Sequence, residues 1–459
     1  MFTLRPTLKV QLTALPPALF TAFLIVLLTV CGASYAQAAT THHVYCSGVD
    51  DTIKLQATLS KVASGDTIKL HPGIRGAPYC KISNGLRLGR STAPGGLTNI
   101  TFDGNGMKLV ALNNMTTTSG DGVTYSTAPT RKIRAHMLTF AGVDGLVVKD
   151  LIIDGNRYGR ATYWGGISSS SIYGNSGNLA LIAVRDAQVR NISSYEAFSD
   201  SVYIDGHEEA PSERIFIDQL NAYGAWRNNV TISDCHDCAV LNSDLHDGLQ
   251  SIDIEPYVTT TRSGDIISRT VSHFLIRNNT LMNPTGRCMS ISQVEDTYVH
   301  DINIERNLVV GCKQNTSYLT HGRIFQFSRV NGLRVTGNIF DSISASSSDG
   351  GGKHLIRFSV SWDVEFKDNE FYNIKYDPSV ELLYIWDDSG DPSSPHHGAQ
   401  ATVHIENNRL YGISYTSDPT MWCWVSSSSS FKSIVEANTI GNLIPGPFGR
   451  MITVNGCTM

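Results

Sequence analysis

Charge is what this sequence has least of. Lys and Arg number 36 and Asp and Glu 41 in 459 residues, 17% together. A long coiled coil or a bundle of surface helices draws about half its residues from Ala, Glu, Lys, Leu and Arg, so both are excluded. A basic excess is also missing. The formal net charge is -5, which argues against a nucleic-acid partner held on a strongly basic face. Beyond the N-terminus no apolar run approaches the ~18 residues of a membrane span. What the chain does have is 41% hydrophobic residues and 40 glycines. That apolar share excludes wholesale disorder and is enough for a large core. Length alone suggests roughly two or three domains, a prior that an internal repeat overrides.

The first 38 residues read as an export signal. Arg5 and Lys9 form a positive start, residues 18–30 (ALFTAFLIVLLTV) an apolar stretch, and Ala36-Gln37-Ala38 a small-residue cleavage site. An uncleaved anchor is the rival reading; a lipoprotein is disfavoured by Val30 before Cys31. Cleavage after Ala38 removes two basic residues and no acids, leaving 34 against 41, a net charge of -7. The mature chain, 39–459, is then expected outside the cytoplasm, off the membrane and monomeric. Eight cysteines remain: Cys46, Cys80, Cys235, Cys238, Cys288, Cys312, Cys423 and Cys457. An even count in an exported protein favours disulfides. Cys46–Cys80 and Cys288–Cys312 are expected first, then Cys423–Cys457, with Cys235 and Cys238 as the remainder.

The mature chain repeats a phrase: a short strand, a turn, then hydrophobic-x-x-Asn-x-hydrophobic. It reads IRNNTL (276–281), IERNLV (304–309), VTGNIF (335–340), FKDNEF (366–371), IENNRL (405–410) and VEANTI (435–440). The shared residue is Asn279, Asn307, Asn338, Asn369, Asn408 and Asn438, at spacings of 28, 31, 31, 39 and 30. Looser copies are VKDLII (148–153), VRNISS (189–194) and VLNSDL (240–245). Period-2 alternation, Gly/Asn/Asp turns and little helical periodicity mean strands. A repeat of this length means a solenoid; propeller blades need about 40–45 residues each. A fixed Asn per coil fits an internal ladder of stacked amides. Residues 51–64 are expected as a helix capped by Asp51 that stops at Gly65 and covers the open end of the stack.

The opening DDTIKLQATLSKVASGDTIKLHPG and the Asn-containing coils resemble the right-handed parallel β-helix superfamily, which holds pectate lyases, polygalacturonases, alginate-active enzymes and phage tailspikes. The resemblance spans about residues 45–458 and implies an all-β, single-stranded right-handed parallel β-helix of about ten coils. It identifies a fold better than an activity.

A second strand family aligns through inward apolar pairs: Ile182/Val184, Val202/Ile204, Val230/Ile232, Ile252/Ile254, Met289/Ile291, Phe325/Phe327, Ile356/Phe358 and Leu383/Ile385. Residues between and after each pair face outward. Arg185, Asp205, Tyr203, Asp253, Glu255, Arg357, Tyr384 and Trp386 are therefore expected along one exposed strip, with strands about 4.8 Å apart. Asp253 and Glu255 are i,i+2 neighbours, about 6.5–7 Å apart, and Asp205 lies two coils from Glu255. Such gaps suit the ~6.5–9.5 Å that seats a water between acid and base in an inverting glycosidase. Crowded carboxylates also raise one pKa, as a general acid needs.

Glu255, Asp253, Asp205 and Arg227 are thus the candidate catalytic residues. Tyr203, Arg185, Arg357, Tyr384, Trp386 and Trp164, the last in the insert 159–177, are candidate polysaccharide contacts. No motif demands a cofactor, although Asp253 and Glu255 could hold Ca²⁺. His207, Glu208, Glu209, Asp234, His236, Asp237, His246 and Asp247 cluster beside the strip, mostly in turns. Cys235-His-Asp-Cys238 has no partner motif at zinc spacing. The paired Asp-Asp, Gly-His-Gly and Arg-Ile-Lys motifs of polygalacturonases do not occur in order, nor does the Asp-Pro-His-Asp of alginate epimerases. Three functions stay open: glycosidic cleavage by hydrolysis, elimination with an Arg base and Ca²⁺, and glycan binding without catalysis. A trimeric spike is the structural alternative.

Overall fold

Short alternating strands become the rungs of a stack because each buries one face and bonds its backbone to the next coil. The structure, a computed structural model, describes residues 38–458 apart from 74–75, 91–94, 117–135, 164–176, 208–209, 261–263, 293–296, 298, 313–323, 346–353, 360, 377–380, 387–401, 412–413, 416–422, 428–431, 437–438 and 441–454; for some strand residues, Tyr384 and Trp386 among them, only the backbone is described. The chain divides into Met1–Thr40 and Thr41–Met459, with every described strand and helix in the second. The export signal lies outside the described residues, bar Ala38. Among the described residues no helix is long and apolar enough to cross a membrane.

The strands form a parallel β-helix. Twelve of them stack in chain order as one parallel sheet, where about ten coils were expected, and 23 belong to a second, larger set. Eight strands of the first sheet matter below: β1 (Leu179–Ile182), β2 (Val202–Asp205), β3 (Asn228–Ile232), β4 (Gln250–Ile254), β5 (Met289–Ile291), β6 (Phe325–Ser328), β7 (His354–Ser359) and β8 (Glu381–Trp386). Val202, Val230, Ile252, Met289, Phe325, Ile356 and Leu383 form one inward row, and Ile204, Ile232, Ile254, Ile291 and Phe327 another. All of these are 2% exposed or less, and each such side chain contributes about 1.5–3 kcal/mol on burial. Phenylalanines continue the stacking between coils, with Phe327 5.5 Å from Phe358 and Phe340 4.7 Å from Phe371.

The asparagine ladder forms. Asn279, Asn307, Asn338 and Asn369 each donate Nδ2 to the Oδ1 of the next ladder residue, ending at Asn408, at 2.9–3.0 Å. Each Oδ1 also accepts the backbone N–H of the previous Asn. All five are buried, so the ladder satisfies amides that water cannot reach. Asn438 lies outside the described residues.

The N-terminal helix α1 is shorter than expected, Thr52–Leu59. Asp51 stands at its N-cap, but its carboxylate accepts the Ser47 N–H at 2.8 Å and makes no capping bond. Cys46–Cys80, Cys235–Cys238 and Cys288–Cys312 are bonded. The side chains of Cys423 and Cys457 lie outside the described set.

Candidate functional site

The outward residues of β2 to β7 fall in register. Tyr203, Thr231, Asp253, Ser290, Gln326 and Arg357 are successive partners, with Tyr384 next to Arg357 on β8. Glu255 follows β4, its N–H bonded to the Ile232 carbonyl at 2.9 Å. It therefore shares its row with Asp205, Ser233 and Ser292.

Arg185 is not in this strip. Tyr203 pairs with Ala180 and Asp205 with Ile182, so β1 uses Leu179 and Leu181 as its inward pair. The run LALIAV offers two alternating registers. Ala183 takes a left-handed φ of 52° and ends the strand between them, a conformation few alanines adopt. Arg185 instead opens a strand of the larger sheet, 3.8 Å from Glu213. Trp164 lies outside the described residues, and Tyr384 and Trp386 are placed by backbone alone.

The centre of the strip is covered, where an exposed face was expected. Tyr203, Thr231, Asp253 and Ser290 are each 8% exposed or less. An antiparallel hairpin, Val258–Thr260 with Ile266–Ser268, rises directly after β4. Tyr257 and Arg269 close its base through an N–H···O bond of 2.9 Å, and both reach Asp205.

Two carboxylate clusters result. In the first, Arg227 donates Nε to Asp200 at 3.0 Å and Nη2 to Glu255. Asp253 accepts bonds from Asn228 (3.0 Å), Gln250 (3.3 Å) and Ser290. Glu255 keeps 34% of its side-chain surface, whereas Asp200 keeps none. Desolvation in this crowded setting, helped by the charge of Asp253 and opposed by Arg227, pushes the Glu255 carboxyl up to about 8. Burial likewise raises Asp200 above the usual carboxylate range despite Arg227. Arg287 lies in the field of Asp253; burial lowers its pKa, and its Nε has no hydrogen-bond partner.

The second cluster centres on Asp205. Its Oδ2 accepts the Tyr257 hydroxyl at 2.7 Å and the Tyr203 hydroxyl at 3.0 Å, and its Oδ1 the Gly206 N–H at 2.8 Å. Arg269 lies 3.9 Å from Asp205 and 3.1 Å from Asp234. Burial raises Asp205, and raises Asp234 to about 7 with the Asp205 charge adding to the effect. Tyr203 stacks on His136 at 5.5 Å. Burial, then the Arg160 charge, lowers His136 to about 4. Arg160, on α2 (Arg157–Tyr163), is fully buried over the Phe198 ring, and none of its guanidinium nitrogens has a hydrogen-bond partner.

Glu255, Asp253 and Arg227 are thus brought together, and Asp205 with Tyr203 forms the neighbouring cluster. Asp200, Asn228, Tyr257, Arg269 and Arg287 were missed. For Asp200 a signal existed: like Arg227, it is a charged residue just ahead of an alternating strand. Tyr257 and Arg269 flank a hairpin that interrupts the repeat, where no periodic pattern reports position.

No family model matches the sequence, and no curated protein matches it. Among solved structures, the family 28 exopolygalacturonase of Yersinia enterocolitica superposes with a TM-score of 0.57 at 11% identity, covering 92% of this chain and 78% of that one. The bacteriophage phi29 gene product 12 N-terminal fragment aligns at 0.47 and 12% identity, over 95% and 76% of the two chains. The endo-xylogalacturonan hydrolase of Aspergillus tubingensis aligns at 0.47 and 11%, over 91% and 99%. The likeness to the first is one of fold, and the chain is a right-handed parallel β-helix.

Proposed function

We propose that this is an exported, polysaccharide-active protein that hydrolyses glycosidic bonds with Glu255 as general acid. One observation carries the reading: Glu255 is a partly open carboxyl pushed up to about 8 in a network of Arg227, Asp200 and Asp253. A carboxyl that keeps its proton at neutral pH can protonate the leaving oxygen of a glycoside. Asp253, two residues earlier on the same face and buried, helps by its charge to keep the proton on Glu255, and the β4 sheet register holds both. Arg227 donates to one oxygen of the Glu255 carboxyl and so holds the group in place. Tyr203 holds the Asp205 carboxyl through its hydroxyl, and Arg357, Tyr384 and Trp386 extend the same rows toward the C-terminal coils. Three disulfides suit an oxidising compartment, which supports export. The exopolygalacturonase neighbour adds support at the level of fold.

A second reading is favoured by one residue. Arg287 lies near Asp253 with an unpaired Nε and a pKa lowered by burial. An arginine beside the carboxylates is the group an elimination would place at the substrate. The two readings separate in one experiment. The disulfide-intact protein is incubated with a panel of neutral and acidic polysaccharides. New reducing ends and the ultraviolet absorbance of unsaturated products are followed together. Hydrolysis gives reducing ends without the chromophore; elimination gives both. Binding to a polymer with neither product would make the protein a glycan-binding module and end the enzymatic reading.

A further inference from the structure

The larger sheet brings histidines together. Three consecutive coils set His236 opposite Ser272, and Ser272 opposite His300. The next residue on each coil, Asp237, His273 and Asp301, takes a left-handed φ of 57°, 51° and 57°. The strands therefore kink at the same height and turn these side chains toward one another. His300 Nδ1 lies 3.0 Å from Asp301 Oδ2, and His273 Nε2 lies 3.4 Å from that same oxygen. One ligand atom each from His273, His300 and Asp301 falls within 4.8 Å of the others.

Two imidazoles and one carboxylate are a nitrogen-rich set. Ca²⁺ and Mg²⁺ demand oxygen, whereas Zn²⁺ takes this mixture. Tetrahedral zinc with bonds of about 2.0–2.2 Å spaces its ligand atoms about 3.3–3.6 Å apart, close to the 3.0 and 3.4 Å from the two imidazole nitrogens to Asp301 Oδ2. The other nitrogen of His273 faces Asp237 Oδ1 at 3.6 Å. A carboxylate behind a metal-bound imidazole fixes its tautomer and raises its basicity. The ligands keep 57%, 37% and 49% of their side-chain surface, so a fourth position opens to water. An ordinary surface ion-pair network would use the same groups without needing both imidazoles to converge on one oxygen.

We propose that His273, His300 and Asp301 form a surface Zn²⁺ site that clips two adjacent coils of the β-helix. The ion joins the strand Val271–Arg277 to Val299–Glu305 and leaves one position for water or an outside ligand. Its ligands share no residue with the Glu255 network.

The test uses the full mature chain without an affinity tag, stripped of metal, and zinc chloride as the probe. Calorimetric titration should show one saturable Zn²⁺ per chain, with a raised melting temperature and no competition from Ca²⁺. His300→Ala and His273→Ala should each weaken binding at least about tenfold, since even loss of an outer partner costs about 10–100-fold. Asp301→Asn keeps the size of the side chain and should weaken binding likewise; unchanged circular dichroism and metal-free melting would show that these variants fold. Absence of saturable binding in the parent protein would overturn the proposal. So would parental affinity in both histidine variants. Loss of the zinc only in His71→Ala would also overturn it, assigning the ion to the His43–His71 pair, whose ring nitrogens lie 2.8 Å apart.

Discussion

Arg227 joins Asp200 to Glu255: its Nε holds the buried Asp200 carboxylate at 3.0 Å while its Nη2 donates to Glu255. Glu255 is the carboxyl of this network that stays partly open, with 34% of its side-chain surface exposed. Glu255→Gln keeps the shape and the Arg227 contact and removes the proton. Activity on whichever polysaccharide is cleaved should fall about 10²–10⁴-fold, with binding retained. In the parent protein kcat should decline as pH rises through about 8, the value to which the acid is raised. Steady-state rates across pH check both statements, and survival of activity within about tenfold would remove Glu255 from the chemistry.

Arg227 also carries a structural load. Arg227→Met preserves volume but leaves Asp200, with no exposed side-chain surface, without its cation. Removing one partner of a buried pair costs about 3–5 kcal/mol. Urea unfolding with disulfides intact should show an unfolding free energy reduced by that amount, read as a lower midpoint at unchanged slope. The double variant Arg227→Met with Asp200→Asn should recover part of the loss, because the uncompensated charge goes with Asp200.

The stack was legible because its signals are local and repeated. Asn279 to Asn408 recur at one place per coil, and an amide buried there has few partners other than the next amide. The rows from β2 to β8 were legible because each strand has one inward apolar pair. The reading failed at β1, where Leu179/Leu181 and Ile182/Val184 compete and Ala183 decides by a backbone angle that its side chain does not advertise. It also failed on exposure. Register places Tyr203 and Asp253 on the outer face, but both are buried there, Tyr203 stacked on His136 and Asp253 held by Asn228, Gln250 and Ser290. What packs against the outer side of a rung comes from segments outside the repeat, which carry no period.

Asp234 gives a pH-dependent stability with a definite sign. Its carboxyl rises from 3.8 to about 7 through burial, opposed by the Arg269 charge and helped by the Asp205 charge. The folded state therefore holds this proton more tightly than the unfolded chain. The stabilisation it lends is complete below about 3.8 and is lost as pH rises through about 7. Asp234→Asn keeps an acceptor for Arg269 and cannot titrate. Thermal melts of the two proteins between those limits should show the parent losing stability relative to the variant as pH rises. Parallel curves would mean that Asp234 does not titrate there.

Each coil sets two neighbouring residues to different work at the ladder. Asn278, Arg306, Gly337, Asp368 and Asn407 all take a left-handed φ, between 52° and 63°, and turn the chain; the next residue, the ladder Asn, is buried. Asn338 accepts the N–H and Nδ2 of Asn307 at 2.9 Å, and donates to Ile304 O at 2.9 Å and Asn369 Oδ1 at 3.0 Å. Asn338→Ala deprives Asn307 of its acceptor and Ile304 of its donor in a space without room for exchange with solvent. Leaving such groups unsatisfied costs about 1–3 kcal/mol. Arg306→Gly relieves a left-handed side chain, worth about 1–2 kcal/mol, but adds freedom to the unfolded chain worth about 0.5–1 kcal/mol. It should leave stability unchanged or raise it by up to about 1.5 kcal/mol. Urea unfolding of the two variants beside the parent separates ladder from turn: equal losses would show that the buried amides add nothing beyond the turn geometry.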